Sequence, residues 1–441
     1  MADAMTTVTM TTRLQKVAER AKRDPQARIL ALAHLIDEDM LRDGFNRIRK
    51  DAAVGVDGVT KEQYGEHLEE NLRGLHGRMK AKKYRHQSIR RVHIPKAPGK
   101  TRPIGISTVE DKVVQNALAK VLGTIYEQDF VDCSFGFRPG RGAHDALRAL
   151  NATERRGKVN WVLEADIKSF FDSIDRKMLM EMLRRRIADE SLMRLVGKCL
   201  HVGVLDGEEY SEPSEGTVQG STLSPLLGNV YLHHVLDRWV EDEVKPRLGG
   251  EATLIRYADD LVICFEREVD AQRVMEVLPK RMARYNLTLH PEKTRVVPFV
   301  RPTEGRDGGK GPATFDFLGF TIYWRRTRRG RWGLGFKTRK ARLQKAVKAL
   351  SDFCRCQRHE PIKEQHAALC RRLRGYNNYF GVSSNFASLA ALDHRAKTIW
   401  CKWLRRRSQR TRLTWKRFER LLEVFPLPRP RIRVALWGPA P

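Results

Sequence analysis

A chain of 441 residues with 83 Lys and Arg against 53 Asp and Glu carries a formal charge of +30. That length allows roughly two to four domains with ample core, and the cationic excess points to a polyanionic partner, nucleic acid ahead of a membrane surface. No run of about 18 apolar residues offers a membrane span, no apolar stretch marks the N-terminus as a signal peptide, and seven scattered Cys make no disulfide framework, which fits a reducing bacterial cytoplasm or nucleoid.

Residues 1–45 are predicted helical, with Leu30, Ala33, Leu35 and Ile36 as apolar positions. The turn-rich GVDGVT (Gly55 to Thr60) interrupts, and a basic segment follows up to Ile106. In it, RRVHIPK and TRPIGI flank Pro98-Gly99, a turn signal, so a hairpin carrying Lys96, Lys100 and Arg102 is expected. Helix is expected over Val109 to Ile125. SFGFRPGR (Ser134 to Arg141) reads as an irregular loop, with helix resuming near Ala143.

Strands and helices then alternate to residue 320. Asn160 to Asp175 reads NWVLEADIKSFFDSID: Trp161, Val162 and Leu163 suit a buried strand that ends near Asp166. GTVQGSTLSPLLGNVYLHHVLD opens as a loop and turns helical near Ser224, with Pro225 well placed at a helix start. Ala252 to Phe265, ATLIRYADDLVICF, reads as a β-hairpin with Asp259 and Asp260 at its tip. Two carboxylates held that close repel one another, and a divalent cation removes the conflict, since Mg²⁺ takes one or two carboxylates plus substrate phosphates. An Asp-Asp pair is also an ordinary solvated turn. The second acidic site at Asp166 favours metal chemistry, because two-metal nucleotidyl transfer needs carboxylates from separate elements around ions about 4 Å apart.

RPTEGRDGGKGP (Arg301 to Pro312) is a polar loop, and FDFLGFTIYW after it is a β-prone stretch. Composition then shifts. Arg325 to Leu350 holds eleven Lys/Arg and no acid, its second half in helical register, and the last 41 residues hold twelve Lys/Arg against two Glu. Trp400, just before them, and Trp403 and Trp415 among them suit either a helical core or base stacking; their spacing favours core. Cys354, Cys356 and Cys370, with His359 and His366 nearby, lack a fourth Cys at zinc-finger spacing. The closing PLPRPRIRVALWGPAP is expected to be extended.

Taken in order, IPKAPGKTRPIGI, SFGFRPGR, ADIKSFFDSID, GTVQGSTLSPLLGNVYLHHVLD, RYADDLVICF, NLTLHPEKTRVV and FDFLGFTIYW resemble the motifs of group II intron reverse transcriptase/maturases. RRLRGYNNYFGVSSNF and the basic C-terminal segment resemble that family's maturase region. The resemblance implies an α+β, right-hand polymerase of fingers and palm followed by an α-helical thumb/maturase domain. Its parts would be an N-terminal helical extension (1–45), fingers (46–160), palm (161–324) and a thumb and RNA-binding region (325–441).

The resemblance further implies RNA-directed DNA synthesis with two Mg²⁺ held by Asp166, Asp259, Asp260 and the backbone oxygen of Ile167. Lys293 would act as proton donor to pyrophosphate. Lys96, Arg102, Phe171 and Gln219 would bind the nucleotide, Phe171 as a steric gate against a 2′-OH with Phe170 as its core neighbour. FLGF (Phe317 to Phe320) would grip the primer end. Arg339, Lys340, Arg405, Arg406 and Arg407 would bind RNA. Expected partners are an RNA template, the intron RNA, a DNA or RNA primer and dNTPs. Val218 and Ser221 depart from the family's usual Pro and Gly. No paired-Cys HNH endonuclease motif precedes Pro441, so target cleavage is not expected. Two other roles stay open: a domesticated reverse transcriptase in phage defence or DNA repair, and an RNA-binding splicing cofactor with little polymerase use.

Overall fold

The computed structural model describes residues 2–97, 100–155, 158–207, 209–211, 215–217, 220–302, 313–327, 330–408 and 413–437; the side chains of residues 2–11, 96, 97 and 100 also lie outside the description. In chain order the strands are β1 (Ile89–Ala97), β2 (Lys100–Ile106), β3 (Trp161–Asp166), β4 (Val204–Asp206), β5 (Glu209–Ser211), β6 (Ala252–Tyr257), β7 (Asp260–Phe265), β8 (Arg295–Pro298), β9 (Phe315–Phe317), β10 (Phe320–Arg326) and β11 (Trp332–Thr338). The chain forms two compact units that interleave along the sequence. One comprises Met1–Arg141, Asp166–Leu248 and Val274–Glu292; the other comprises Gly142–Ala165, Gly249–Arg273 and Lys293–Pro441.

In the first unit, β1 and β2 form the expected antiparallel hairpin, paired from Arg90 with Ile106 to Ala97 with Lys100. The predicted Pro98-Gly99 turn lies outside the described residues. β1 also pairs with β4, giving a sheet of order β2-β1-β4-β5. The helix Val109–Asp129 starts where the Thr108 side chain accepts the Asp111 amide, an N-cap that satisfies an orphan donor. Val113, Val114, Ala117, Leu118, Val121, Leu122 and Ile125 recur at helical spacing and are all buried. Each of the larger ones contributes about 1.5–3 kcal/mol on burial. Asp111, in the first turn of this helix, is buried and accepts from the hydroxyls of Tyr84 and Thr108, both at 2.7 Å, so its charge does not go unpartnered.

The helix Ser224–Leu232 has Pro at its start, as expected, and continues into π-helical turns at His233–Asp237 and Trp239–Val244. Sequence pattern carries no signal for such turns.

In the second unit, β6-β7-β3-β8 form one sheet and β11-β10-β9 another. The FDFLGFTIYW stretch is two strands, β9 and β10. The Leu318-Gly319 turn between them has both residues at positive φ, 52° and 80°, the geometry of a type I′ hairpin. The basic stretch after Trp324 holds the end of β10, then β11 up to Thr338 and the helix Lys340–Cys356.

The helices Ile362–Phe380, Phe386–Arg405 and Trp415–Val424 follow. They share a core with Leu350, Leu369, Leu373, Leu392, Trp400, Leu404 and Phe418. Trp400 is fully buried and donates its indole N–H to Gln365, so it is core rather than a stacking platform. Trp415 is 40% exposed. In the described part of the terminal segment, Val434 bridges to Val382. None of the seven cysteines is in a disulfide; Cys133 is half-buried, Cys356 is exposed at the end of its helix, and the others are buried.

Burial, with the neighbouring His233, Arg185 and Arg238, pulls His234 from 6.5 down to about 3. The unfolded chain takes up this proton near its ordinary pKa, the folded protein only far below it. The unfolded state thus binds the extra proton in that window, and stability falls as pH drops through it. His234→Gln, which does not titrate, is expected to flatten the fall in Tm between about pH 6.5 and about pH 4. An unchanged slope would assign the acid sensitivity to other groups.

Candidate active site

The β6–β7 hairpin turns in two residues. Tyr257 pairs with Asp260, leaving Ala258 and Asp259 as the loop, and Ala258 takes the left-handed conformation at φ 56°. Asp259 is therefore at the tip as expected, while Asp260 is already the first residue of β7. The buried Arg256 holds the turn by donating to the Ala258 carbonyl at 3.1 Å. Apolar Leu261, Val262 and Ile263 bury the strand behind it.

β3 lies between β7 and β8. Its residues Val162 to Ala165 are buried, and Asp166 at its end is half-buried, as are Asp259 and Asp260. The Asn160 amide donates to the Phe265 carbonyl at 2.9 Å and its side-chain amide to the Glu266 carbonyl. The start of β3 thus meets the end of β7, the two strands run antiparallel, and the end of β3 is level with the start of β7. Beyond Asp166 the chain pairs with residues 288–290: the His290 amide donates to the Asp166 carbonyl and the Lys168 amide to the Thr288 carbonyl, both at 2.8 Å. This ladder leaves the Ile167 carbonyl outside it.

Around the sheet, the carboxylate of Glu164 receives Arg295 at 3.0 and 3.2 Å and the Asp316 amide at 2.7 Å. Asp316 in turn takes Arg339 at 2.9 Å and the Thr321 hydroxyl at 2.6 Å. Arg339, expected at an RNA surface, spends its charge on this pair. The Leu318 amide donates to Asp260 Oδ2 at 3.3 Å, and the Leu318 carbonyl accepts the Tyr379 hydroxyl at 2.9 Å. Burial, with Tyr257 and Asp260 nearby, pushes Tyr379 up to about 12, so the phenol stays protonated. Nothing in the sequence pattern singles out Tyr379 or Glu164.

Phe171 sits in a short 3₁₀ turn, Phe170–Asp172, its ring 5.0 Å from that of Phe170. Phe170 is buried and Phe171 half-buried. The turn is braced from two directions. The Thr217 amide donates to the Phe171 carbonyl at 2.7 Å, and a Cβ at Gly228 would lie 2.9 Å from the Phe170 ring and 3.1 Å from that of Phe171. Gln219 and Val218 lie outside the described residues, as does the side chain of Lys96. Arg102 is exposed on β2, across from Ile94, and Lys293 is exposed at the end of the turn Pro291–Lys293.

Lys340, Arg405 and Arg406 are exposed, the Arg406 guanidinium 5.5 Å from the Trp403 ring. Arg407 instead donates to the carbonyls of His359 and Glu360 at 3.0 Å, a clamp between helices.

Carboxylates at the end of a sheet and a backbone carbonyl are the hard oxygen donors that Mg²⁺ takes. Among the described residues no three His, Cys, Asp or Glu side chains close into a cage. Among the described residues no helix is long and apolar enough to cross a membrane.

Residues 94–322 match the reverse transcriptase (RNA-dependent DNA polymerase) family. The chain is 33% identical to Protein YkfC of Escherichia coli over 72% of its own length and 89% of that protein. It is 30% identical to the group II intron-encoded protein LtrA of Lactococcus lactis over 61% of its length, spanning 46% of LtrA. It is 34% identical to an uncharacterized 91 kDa protein in the cob intron of Schizosaccharomyces pombe, over 52% of this chain and 28% of that one. The matched span contains Asp166, Asp259 and Asp260, and the chain belongs to the reverse transcriptase family of RNA-directed DNA polymerases.

Proposed function

We propose that the chain copies RNA into DNA at the end of the β6-β7-β3-β8 sheet, with Asp166, Asp259, Asp260 and the Ile167 carbonyl as ligands for two Mg²⁺. The observation that carries this reading is the antiparallel course of β3 and β7, which brings their acidic ends level. When bound, such ions activate the attacking 3′-hydroxyl and steady the departing pyrophosphate.

The protein's own residues do the rest. The carboxylates supply the charge that a phosphate-bound cation needs. Phe171, firmly seated against Phe170 and Gly228, blocks space a ribose 2′-hydroxyl would fill. Arg102 offers the planar fork that suits triphosphate oxygens, with Lys96 and Gln219 beside the same nucleotide. Lys293 delivers a proton to the leaving pyrophosphate. The primer 3′-hydroxyl oxygen bonds to the α-phosphorus as the bond from that phosphorus to the α,β-bridging oxygen breaks; the hydroxyl gives its proton to solvent water, and the bridging oxygen, leaving with pyrophosphate, takes one from Lys293.

In this reading residues 46–160 are fingers, 161–324 palm, and 325–441 a thumb and maturase region that binds the template and the intron RNA, promoting splicing as well as mobility. Support for an intron partner comes from relatives named as intron-encoded proteins and from the exposed Lys340, Arg405 and Arg406.

Asp259→Asn is expected to cut primer extension on an RNA template at least about 10³-fold, about 4 kcal/mol of barrier, with RNA affinity unchanged; extension at the parent rate would refute the metal role. Phe171→Ala is expected to relax discrimination against ribonucleotides by about ten-fold or more, read from single-nucleotide incorporation. If selectivity for the sugar holds, the gate lies elsewhere. Replacing Arg405 and Arg406 with Gln is expected to reduce the slope of log K against log salt for RNA binding by about 1.5. An identical slope would show that these two side chains neutralise no phosphate.

A further inference from the structure

We propose that Tyr379 is a positioning residue for Asp260, acting through the Leu318 peptide. The inference rests on the reading of Asp260 as a cation ligand and adds a residue that no motif of the active site contains.

The connection is short and specific. Leu318 uses both backbone groups at once: its N–H holds Asp260 Oδ2 at 3.3 Å and its C=O takes the Tyr379 hydroxyl at 2.9 Å. Leu318 stands at φ 52°, a left-handed conformation that disfavours a residue with a side chain, so external restraint helps the turn keep it. Tyr379 supplies it from the helix Ile362–Phe380. The Gly319 carbonyl accepts the Arg339 amide at 3.0 Å on the other side of the turn.

Tyr379 is itself well fixed. Its ring stacks on Phe320 at 5.9 Å with a 22° interplanar angle, and its own carbonyl lies 2.8 Å from His144 Nε2, which reaches it from the helix Ala143–Arg155.

A hydrogen bond from an amide to an ionised carboxylate is directional and stronger than one between neutral groups. Holding one oxygen of Asp260, at the long end of hydrogen-bond distance, biases the plane of the carboxylate and so the direction in which it would meet a cation. Small errors of placement matter at such a site: ligand groups need to be held within about 0.5 Å of their working geometry. Removing the Tyr379 hydroxyl frees the Leu318 carbonyl and loosens the peptide without touching the acid. Through this peptide, the seating of the helix Ile362–Phe380 is communicated to the acidic centre.

The test uses the full chain bound to a dideoxy-terminated primer on an RNA template with the complementary dNTP, so no turnover occurs, and follows Mn²⁺ binding by electron paramagnetic resonance. Tyr379→Phe keeps the ring and its stacking. It is expected to weaken Mn²⁺ binding about two- to twelve-fold, the effect of one lost hydrogen bond of about 0.5–1.5 kcal/mol, and to raise the Mg²⁺ needed for half-maximal extension in parallel, with primer–template affinity unchanged. Mn²⁺ binding equal to the parent would overturn the proposal. Asp260→Asn separates the two levels. If it removes a Mn²⁺ site while Tyr379→Phe shifts nothing, the positioning role alone fails; if it leaves Mn²⁺ binding intact, the ligand reading fails and this inference with it. Should Tyr379→Phe not fold, His144→Ala, which loosens Tyr379 from behind, is expected to weaken Mn²⁺ binding about two-fold, and no change there would equally overturn the proposal.

Discussion

Like charges at one end of a sheet are the constraint around which this fold is arranged. Asp259 and Asp260 are adjacent in sequence, and Asp166 closes the strand beside theirs. Carboxylates so placed repel unless hydrogen bonds, cations or water offset them. The strands that carry them are accordingly stiff. β7 is buried along most of its length, its turn is held by a buried arginine, and the Leu318 amide meets one of the acids directly. A soft loop would swing its carboxylate out into water; a two-residue turn on a buried hairpin gives it little room to do so.

A second tier of charge supports the same region. Glu164 joins Arg295 and the Asp316 amide, and Asp316 joins Arg339 and Thr321. These pairs cross from one sheet to the other and to the foot of the first C-terminal helix. Their contribution lies in register rather than in net energy, since partly exposed ion pairs add little to stability. Charge count therefore overstates the surface free to meet RNA. Arg339, itself exposed, pairs with Asp316, and the half-buried Arg407 donates to backbone carbonyls.

Much of this was legible in the sequence, and what was not has physical reasons. The β1–β2 hairpin, the helix from Val109, the helix start near Ser224 and the acidic hairpin all follow from local periodicity and turn chemistry, which act over a few residues. The Leu318-Gly319 turn was hidden because its flanks are apolar on both sides and it lacks the Asn or Asp that usually announces a type I′ turn. Tyr379 and Glu164 were missed for another reason: their partners lie tens of residues away, and a long-range hydrogen bond leaves no trace in spacing. The π-helical turns after Leu232 differ from an α-helix by a single inserted residue, too small a change for a hydrophobic pattern to register.

The distribution of thiols has a practical side. Six of the seven cysteines are wholly or partly shielded, and Cys356 alone is exposed, at the C-terminal end of a lysine- and arginine-rich helix. A maleimide dye added in limiting amount would attach there first, without any engineered cysteine. The native chain thus carries its own attachment point for a fluorophore, from which docking of a labelled transcript could be followed by energy transfer.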